Sequence, residues 1–401
     1  MSTDAAPRWA IIADDLTGAA DAAAAYGPTH SSSVILDVDA DWPDTEILSI
    51  NTESRYLPAP EAASAVSSAV GRALGQNRAV FKKIDSLLRG NVGVEVAAAL
   101  AAFTQGRGGA LALIAPAFPA TGRSTRGGLV HVGGVPHTGG TFGGDTAAAV
   151  AAGGLAVSVV AAGLERTPGE LARHLRDLQA QGITAVVLDA GSDRELGNIA
   201  AAAQLLDFPA LLVGSGGLAA QITAGRSDSP VRGAQPRPVG RTLTVIGSYS
   251  GLARQQTDAL VAAGAEHIML DHASLAGPAV PRLVAAALAR PAVVLTPDPM
   301  GVLDKSPALV VAEALARATA AGIGHCDALV LTGGETATAV LKALGAGSFT
   351  VLGEIEPGVV LSLLPGPLPL LVTKAGAFGD AGTLARTTKF LTDTTTEMSI
   401  K

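Results

Sequence analysis

Cysteine is almost missing: Cys326 is the only one in 401 residues. No internal disulfide can form and a cysteine-ligated metal cluster is excluded, which fits a reducing cytoplasm. Cys326 sits just before the apolar run Ala328–Leu331 and is expected as a buried thiol. Basic charge is also scarce, with 28 Lys and Arg against 35 Asp and Glu, a net of −7. A nucleic-acid partner would need a basic face, whereas a small anionic ligand needs only a few local cations. No uninterrupted apolar stretch reaches the ~18–20 residues of a membrane-spanning helix. The mean hydropathy of +0.38 comes from alanine-rich helices and Val/Ile/Leu strands. The N-terminus lacks an apolar signal-peptide core, since the run Trp9–Ala13 stops at Asp14-Asp15. These absences predict a cytoplasmic protein with neither nucleic acid nor membrane as partner. Two nucleotide-binding signatures are missing as well: there is no G-x-x-x-x-G-K-[ST], and no G-x-G-x-x-G after the first strand.

What is present is a strand–helix rhythm. The length predicts two domains at ~100–200 residues each, both large enough to bury a core. Short aliphatic runs at Trp9–Ile12, Ser33–Leu36, Ile47–Ile50, Ala79–Ile84, Ala110–Ile114, Leu155–Val160, Ala185–Leu188 and Ala210–Val213 read as strands. Helical patterns at Pro60–Leu74, Gly93–Phe103, Thr167–Gln181 and Asp193–Leu206 separate several of them. The strands are apolar on successive residues, as in parallel sheets buried on both faces. A polar stretch with three prolines, Ala224–Arg241, then interrupts the rhythm. A second series follows: Leu243–Ile246, Ile268–Leu270, Ala292–Leu295, Ala328–Leu331 and Leu370–Thr373, with helices such as Leu252–Ala263 and Ser306–Ala320. The expected fold is α/β in two domains, each a largely parallel sheet flanked by helices, with the ligand cleft between them. Its parts are an N-terminal domain at 1–225, a linker at 226–240, a C-terminal domain at 241–391 and a polar tail at 392–401. The apolar content leaves room for a homodimer without specifying one.

One segment, Ala115–Asp145, holds nine glycines and shows no regular pattern. Structureless loops longer than ~12–15 residues are usually functional or disordered. Arg123, Arg126, His131 and His137 lie in it and favour function. No acidic cluster accompanies the two histidines, so they read as loop structure or substrate contacts rather than as a metal pair.

The chemistry gathers at strand ends, where open α/β sheets bind ligands. The first strand ends in Asp14-Asp15-Leu16-Thr17-Gly18, which suits polyol hydroxyls or a catalytic base. The plainer explanation is that Asp15 or Thr17 caps the next helix. A second strand runs into Lys82-Lys83-Ile84-Asp85-Ser86-Leu87-Leu88-Arg89-Gly90-Asn91. There Lys and Arg can hold a carboxylate, or can simply be solvated surface charge. The turn Asn51-Thr52-Glu53-Ser54-Arg55 adds polar groups. In the second half three strands end in glycine loops: Gly247-Ser248-Tyr249-Ser250, Thr332-Gly333-Gly334-Glu335-Thr336 and Lys374-Ala375-Gly376-Ala377-Phe378-Gly379. Such loops before helix N-termini offer backbone N–H groups to phosphates, although glycine is also the default residue of tight turns.

Taken in order, these segments resemble the four-carbon acid sugar kinases, which phosphorylate 3-oxo-tetronate, D-threonate or D-erythronate with ATP. The resemblance covers nearly the whole chain and includes Pro116-Ala117-Phe118-Pro119, Gly122-Arg123 and Gly214-Ser215-Gly216-Gly217-Leu218-Ala219. It implies a sugar-acid-binding N-terminal domain facing its ligand with Asp14, Asp15, Lys82, Asp85 and Arg89. It also implies a nucleotide-binding C-terminal domain contacting ATP through Ser248 or Ser250, Gly333, Gly334, Glu335, Thr336 and Gly376. The sequence departs from the family where Ala375 and Ala377 replace the usual Ser and Asn, where Leu87 replaces a Thr, and where Ala20 replaces an Asn.

Phosphoryl transfer asks mainly for positioning and charge neutralisation. The expected arrangement has ATP and Mg²⁺ at the C-terminal loops, with Gly379 completing the third. Asp14, Asp15 or Asp85 serves as base, while Thr17, Arg55, Lys82, Lys83, Arg89 and Arg123 bind the acid sugar, whose terminal 4-hydroxyl accepts the phosphate. The alternatives are an NAD(P)-dependent sugar-acid dehydrogenase, for which Asp37 would hold the ribose, and a non-catalytic sugar-acid sensor.

Overall fold

The computed structural model describes residues 7–27, 29–105, 109–161, 167–222, 239–248, 250–270, 284–285, 287–298, 308–376 and 378–393. The linker, apart from its last residues, and nearly all of the polar tail lie outside these. The chain divides into two compact units, with the division between residues 229 and 230.

The first unit is built on eight strands: β1 (Trp9–Ala13), β2 (Ser32–Ile35), β3 (Ile47–Asn51), β4 (Ala79–Lys83), β5 (Leu111–Ala115), β9 (Val157–Val160), β10 (Ala185–Leu188) and β11 (Ala210–Gly214). They lie in the order β2-β3-β1-β4-β11-β5-β10-β9, and every pairing is parallel. Its helices are α1 (Leu16–Ala24), α2 (Ala59–Gly75), α3 (Val92–Thr104), α4 (Thr146–Ala151), α5 (Pro168–Ala180), α6 (Asp193–Gln204) and α7 (Gly216–Ala219). Alternation along each strand sends successive side chains to opposite faces. Ala10, Ile12 and Val80 join the core under α2 and α3, whereas Ile11 and Phe81 join the core under α1, α5 and α6.

Residues 123–136 do not form the structureless loop that their composition suggests. Here β6 (Arg123–Arg126), β7 (Leu129–Val132) and β8 (Val135–Pro136) make a small antiparallel sheet. The Gly127-Gly128 and Gly133-Gly134 pairs turn its strands, each glycine at positive φ. The sheet is fixed to the main one through Asp189, at the end of β10, whose carboxylate accepts from the N–H groups of Gly127 and Gly128. The N–H of Thr125 donates to the Ala190 carbonyl at 2.8 Å.

The second unit has the strand order β13-β14-β12-β15-β18-β17-β16. Its strands are β12 (Thr242–Ile246), β13 (Glu266–Leu270), β14 (Ala292–Pro297), β15 (Ala328–Thr332), β16 (Ser348–Glu356), β17 (Val359–Leu363) and β18 (Leu370–Lys374). The first five in spatial order are parallel, and β17 and β16 add an antiparallel hairpin absent from the sequence reading. Its helices are α8 (Gly251–Ala262), α9 (Ala308–Gly322), α10 (Gly334–Ala343) and α11 (Thr383–Thr392). Among the described residues no helix is long and apolar enough to cross a membrane.

Candidate functional site

In the first unit β3, β1 and β4 are neighbours, so the turns after them converge at one end of the sheet. Asp15 is the N-cap of α1 and accepts from the Gly18 N–H at 2.8 Å. The capping explanation and a place in the cluster therefore both hold for this residue. Arg55, brought in by the turn after β3, donates from Nε to Asp14 at 2.6 Å and from Nη1 to Asp15 at 2.7 Å. Its Nη2 lies 3.7 Å from Asp85, which is itself gripped by Arg89 through Nε at 3.0 Å and Nη2 at 2.6 Å. Thr17 donates to Asp15 at 2.8 Å, and Arg123 donates to the Ser86 hydroxyl. Asn91 holds the Arg55 turn in place by donating to the carbonyls of Ser54 at 2.9 Å and Leu57 at 2.8 Å. Gly90 makes this approach possible: its φ is +84°, and a Cβ there would lie 2.8 Å from the Arg55 carbonyl oxygen.

The electrostatics follow from the pairing. Burial alone would raise the Asp14 carboxyl, but the charge and hydrogen bond of Arg55, aided by Lys82 and Lys83, hold it below its usual range. Burial likewise opposes ionisation of Asp85, and the hydrogen bonds of Arg89 with the charge of Arg55 overcome it, leaving that carboxyl well below normal. Burial lowers Arg55, and the three carboxylates around it raise it further than burial lowers it.

The two adjacent lysines part company. Lys82 lies on the α3 face of β4, fully buried, 2.7 Å from Glu95. Its ammonium also donates to the carbonyls of Lys83 at 2.8 Å and Ile12 at 3.3 Å. Lys83 lies on the α1 face, close enough to Gly18 that a Cβ there would sit 3.0 Å from its Nζ. The strand pleat explains the split. Asp21, one helical turn beyond Thr17, sits on this same face and is absent from the sequence-derived set. Its i, i+4 spacing from Thr17 is the signal that could have found it. Burial pushes Asp21 up to about 6, against the charge of Lys83.

In the second unit β12, β15 and β18 are adjacent, so the three glycine loops sit side by side. Gly333 donates to the Lys374 carbonyl at 3.0 Å, linking the second loop to the third. Gly247 passes so close to Thr336 that any side chain at 247 would collide with its hydroxyl. Ser248 accepts from the Ser250 N–H at 3.2 Å, and Ser250 caps α8 through the Ala253 N–H at 3.1 Å. The N-terminus of α10 begins at Gly333 with no side-chain cap, and Glu335 stands exposed in its first turn. Its first N–H groups therefore lack the partner that Ser250 gives α8. Beneath Gly376 and Gly379, the buried Lys374 donates to the carbonyls of Ala375 at 2.8 Å and Phe378 at 2.9 Å. Burial lowers its ammonium to about 8, with Glu356 opposing.

Residues 9–222 match a family model described as a sugar-binding N-terminal domain, and residues 243–384 match one described as a nucleotide-binding C-terminal domain. A D-threonate kinase of Cupriavidus necator is 35% identical over 94% of this chain and 96% of its own. A second D-threonate kinase, from Bordetella bronchiseptica, is 35% identical over 95% and 96%. The chain belongs to the four-carbon acid sugar kinase family. Another full-length relative of this kinase family is the 3-oxo-tetronate kinase of Burkholderia multivorans, 27% identical over 93% of this chain and 95% of that one. A Salmonella typhimurium protein of solved structure shares the fold with a TM-score of 0.76 at 24% identity, over 94% of this chain and 98% of its own.

Proposed function

We propose that this protein transfers the γ-phosphate of ATP to a hydroxyl of a four-carbon sugar acid, with D-threonate the first candidate and the terminal 4-hydroxyl the acceptor. The observation that carries the reading is the convergence of Asp14, Asp15, Arg55, Asp85 and Arg89 at the ends of the adjacent strands β1, β3 and β4, joined by Arg123 from β6 through Ser86, in the unit that matches a sugar-binding domain. Two relatives of nearly full length named D-threonate kinase direct the choice of acid.

In this reading the first unit holds the acid. Arg89 and Arg123 meet its carboxylate, because a planar guanidinium can grip a carboxylate with two parallel hydrogen bonds. Arg89 remains partly exposed while it holds Asp85. Thr17, Asp14 and Asp15 face the hydroxyls, and Arg55 keeps those aspartates ionised. Lys83 is the lysine of the pair that serves the site, and Lys82 serves Glu95.

The second unit holds the nucleotide. The uncapped start of α10, from Gly333 through Thr336, takes the phosphates on backbone N–H groups and on the positive end of the helix dipole. The loops of Ser248 and Ser250 and of Gly376 and Gly379 flank it, with the Lys374 charge beneath. The residues present also fit a magnesium ion. Asp380 is tied to Arg386 at 2.9 Å, whereas Glu335 is exposed beside the uncapped helix start. A phosphate-bound Mg²⁺ needs only one or two protein carboxylates and would supply charge neutralisation between the phosphates. Turnover requires both units, and the reading places the enzyme in the cytoplasm.

The test is ADP release with ATP and Mg²⁺ against D-threonate, D-erythronate, their L-enantiomers and 3-oxo-tetronates. Release with one acid well above the rest supports the reading and names the substrate. ATP binding without acid-dependent ADP release from any of them overturns it.

A further inference from the structure

Four aspartates, Asp14, Asp15, Asp85 and Asp21, stand around the ends of β1 and β4, the last from inside α1, and three of them are committed. Asp14 gives Oδ2 to Arg55, its Oδ1 being buried without a partner. Asp15 gives Oδ2 to Arg55 and Thr17 and Oδ1 to the Gly18 N–H. Asp85 accepts from Nε and Nη2 of Arg89 and from the backbone N–H groups of Leu87 at 3.0 Å and Arg89 at 3.1 Å. Guanidinium and amide donors stabilise the charged form of a carboxylate and make it a poor proton acceptor. A general base works best when its proton affinity lies near the working pH.

Asp21 differs in its surroundings. Its Oδ1, like that of Asp14, is sealed from solvent and accepts no hydrogen bond, but no guanidinium among the described residues grips Asp21 as Arg55 grips Asp14. Its Oδ2 lies against α7, where a Cβ on Gly216 would come within 2.5 Å of it and 2.8 Å of the Phe118 ring. The charged groups that face it are Asp15 from its own helix, Lys83 from β4 and Arg123 from β6. It therefore stands beside the committed acids as the one whose carboxylate no guanidinium holds, among the described residues of this cluster.

We propose that Asp21 is the general base of the transfer, and that Asp14, Asp15 and Asp85 are fixed anions that position Arg55 and Arg89. The role rests on the kinase reading above. In the step, the acceptor O–H bond breaks and its proton passes to the Asp21 carboxylate. The new O–Pγ bond forms as the bond from Pγ to the bridging oxygen breaks, and that electron pair leaves on ADP. Lys83 and Arg123 keep Asp21 ionised enough to accept the proton.

The experiment measures acid-dependent ADP release from about pH 5 to about pH 9 for wild type, Asp21→Asn and Asp21→Glu, with both KM values. The expected result is a wild-type kcat/KM that rises through an acidic limb near the Asp21 value of about 6. Asp21→Asn should lose kcat by at least ~100-fold, with both KM values within ~3-fold and the acidic limb gone. Asp21→Glu should recover part of the rate on a displaced limb. An Asn variant that keeps kcat within ~5-fold of wild type, or keeps the same limb, overturns the role. If the Asn variant does not fold, the wild-type profile decides, and a flat kcat/KM from about pH 5 to about pH 8 overturns it. An active wild type with an equally active Asn variant removes only the Asp21 role. A wild type inactive on every acid removes the kinase reading and the role together.

Discussion

The pair Lys82–Glu95 offers the sharpest test of the fold reasoning. Both side chains are almost completely buried, at 0% and 1% exposure, and their charged atoms lie 2.7 Å apart. Removing one partner of such a pair strands the other charge in the interior, at a cost of about 3–5 kcal/mol. The two single losses should not be equal. Glu95→Gln leaves the ammonium with two carbonyl acceptors, at 2.8 Å and 3.3 Å, and belongs near ~3 kcal/mol. Lys82→Met leaves a carboxylate whose Oε1 already has no partner, and belongs near ~5 kcal/mol. Replacing both by apolar residues, Lys82→Met with Glu95→Leu, should be within ~1 kcal/mol of wild type, because no charge remains to desolvate. The assay is urea unfolding of the full chain, followed on the first unit's transition. With an m-value of about 2–3 kcal/mol/M, a loss of ~4 kcal/mol moves the midpoint by roughly 1.3–2 M. The double variant should also keep its KM for the acid substrate, since Lys82 faces α3. A Glu95→Gln variant that loses less than ~1 kcal/mol, or a double variant as unstable as the worse single one, refutes the reasoning.

Two further outcomes follow from the same geometry. The folded Asp21 carboxyl sits at about 6 against an ordinary 3.8, so its contribution favours folding at low pH and is lost as pH rises through that window. Asp21→Asn should therefore be more stable than wild type above about pH 7, by at most ~3 kcal/mol. The gain should shrink toward zero near pH ~4, and denaturant melts at both pH values check this. A Cβ on Gly247 would strike the Thr336 hydroxyl, so Gly247→Ala should weaken binding of a non-hydrolysable ATP analogue by about tenfold, or ~1.4 kcal/mol. Thr336→Ala in the same chain should restore part of that affinity by calorimetry; a Gly247→Ala chain with wild-type affinity would show that the contact is relieved at no cost.

The main sheets were legible because strands buried on both faces are written as continuous aliphatic runs, as in Trp9–Ala13 and Leu111–Ala115. Residues 123–136 were not, because each strand there is short and only partly buried: of Leu129–Val132, Val130 alone is buried. The hairpin of β16 and β17 was hidden for a related reason. Its first strand is only partly covered, contains Gly353 and carries irregular register with its partner. Strand-end acids and glycine loops could be found from position alone. Which of Lys82 and Lys83 faces the site needed the pleat, and a period-2 count from Phe81, buried with α1, would have assigned it. Asp21 was overlooked because it stands inside an alanine-rich helix rather than at a strand end.

The anchoring of the small antiparallel sheet has an evolutionary consequence. It carries Arg123 at its first position, makes its own strand pairs, and is fastened to the main sheet by backbone groups of residues 125, 127 and 128 at Asp189 and Ala190. Backbone donors are indifferent to side-chain identity, so the exposed positions, such as Leu129, Val132 and Val135, can be rewritten without disturbing the eight-stranded sheet, whereas Val130, packed in its core, and the positive-φ glycines stay fixed. A small sheet rewritten in this way would inherit its seat from Asp189. On the role proposed for Arg123, a lineage turning to a different acid could change its reading head here while leaving the machinery of transfer as it is.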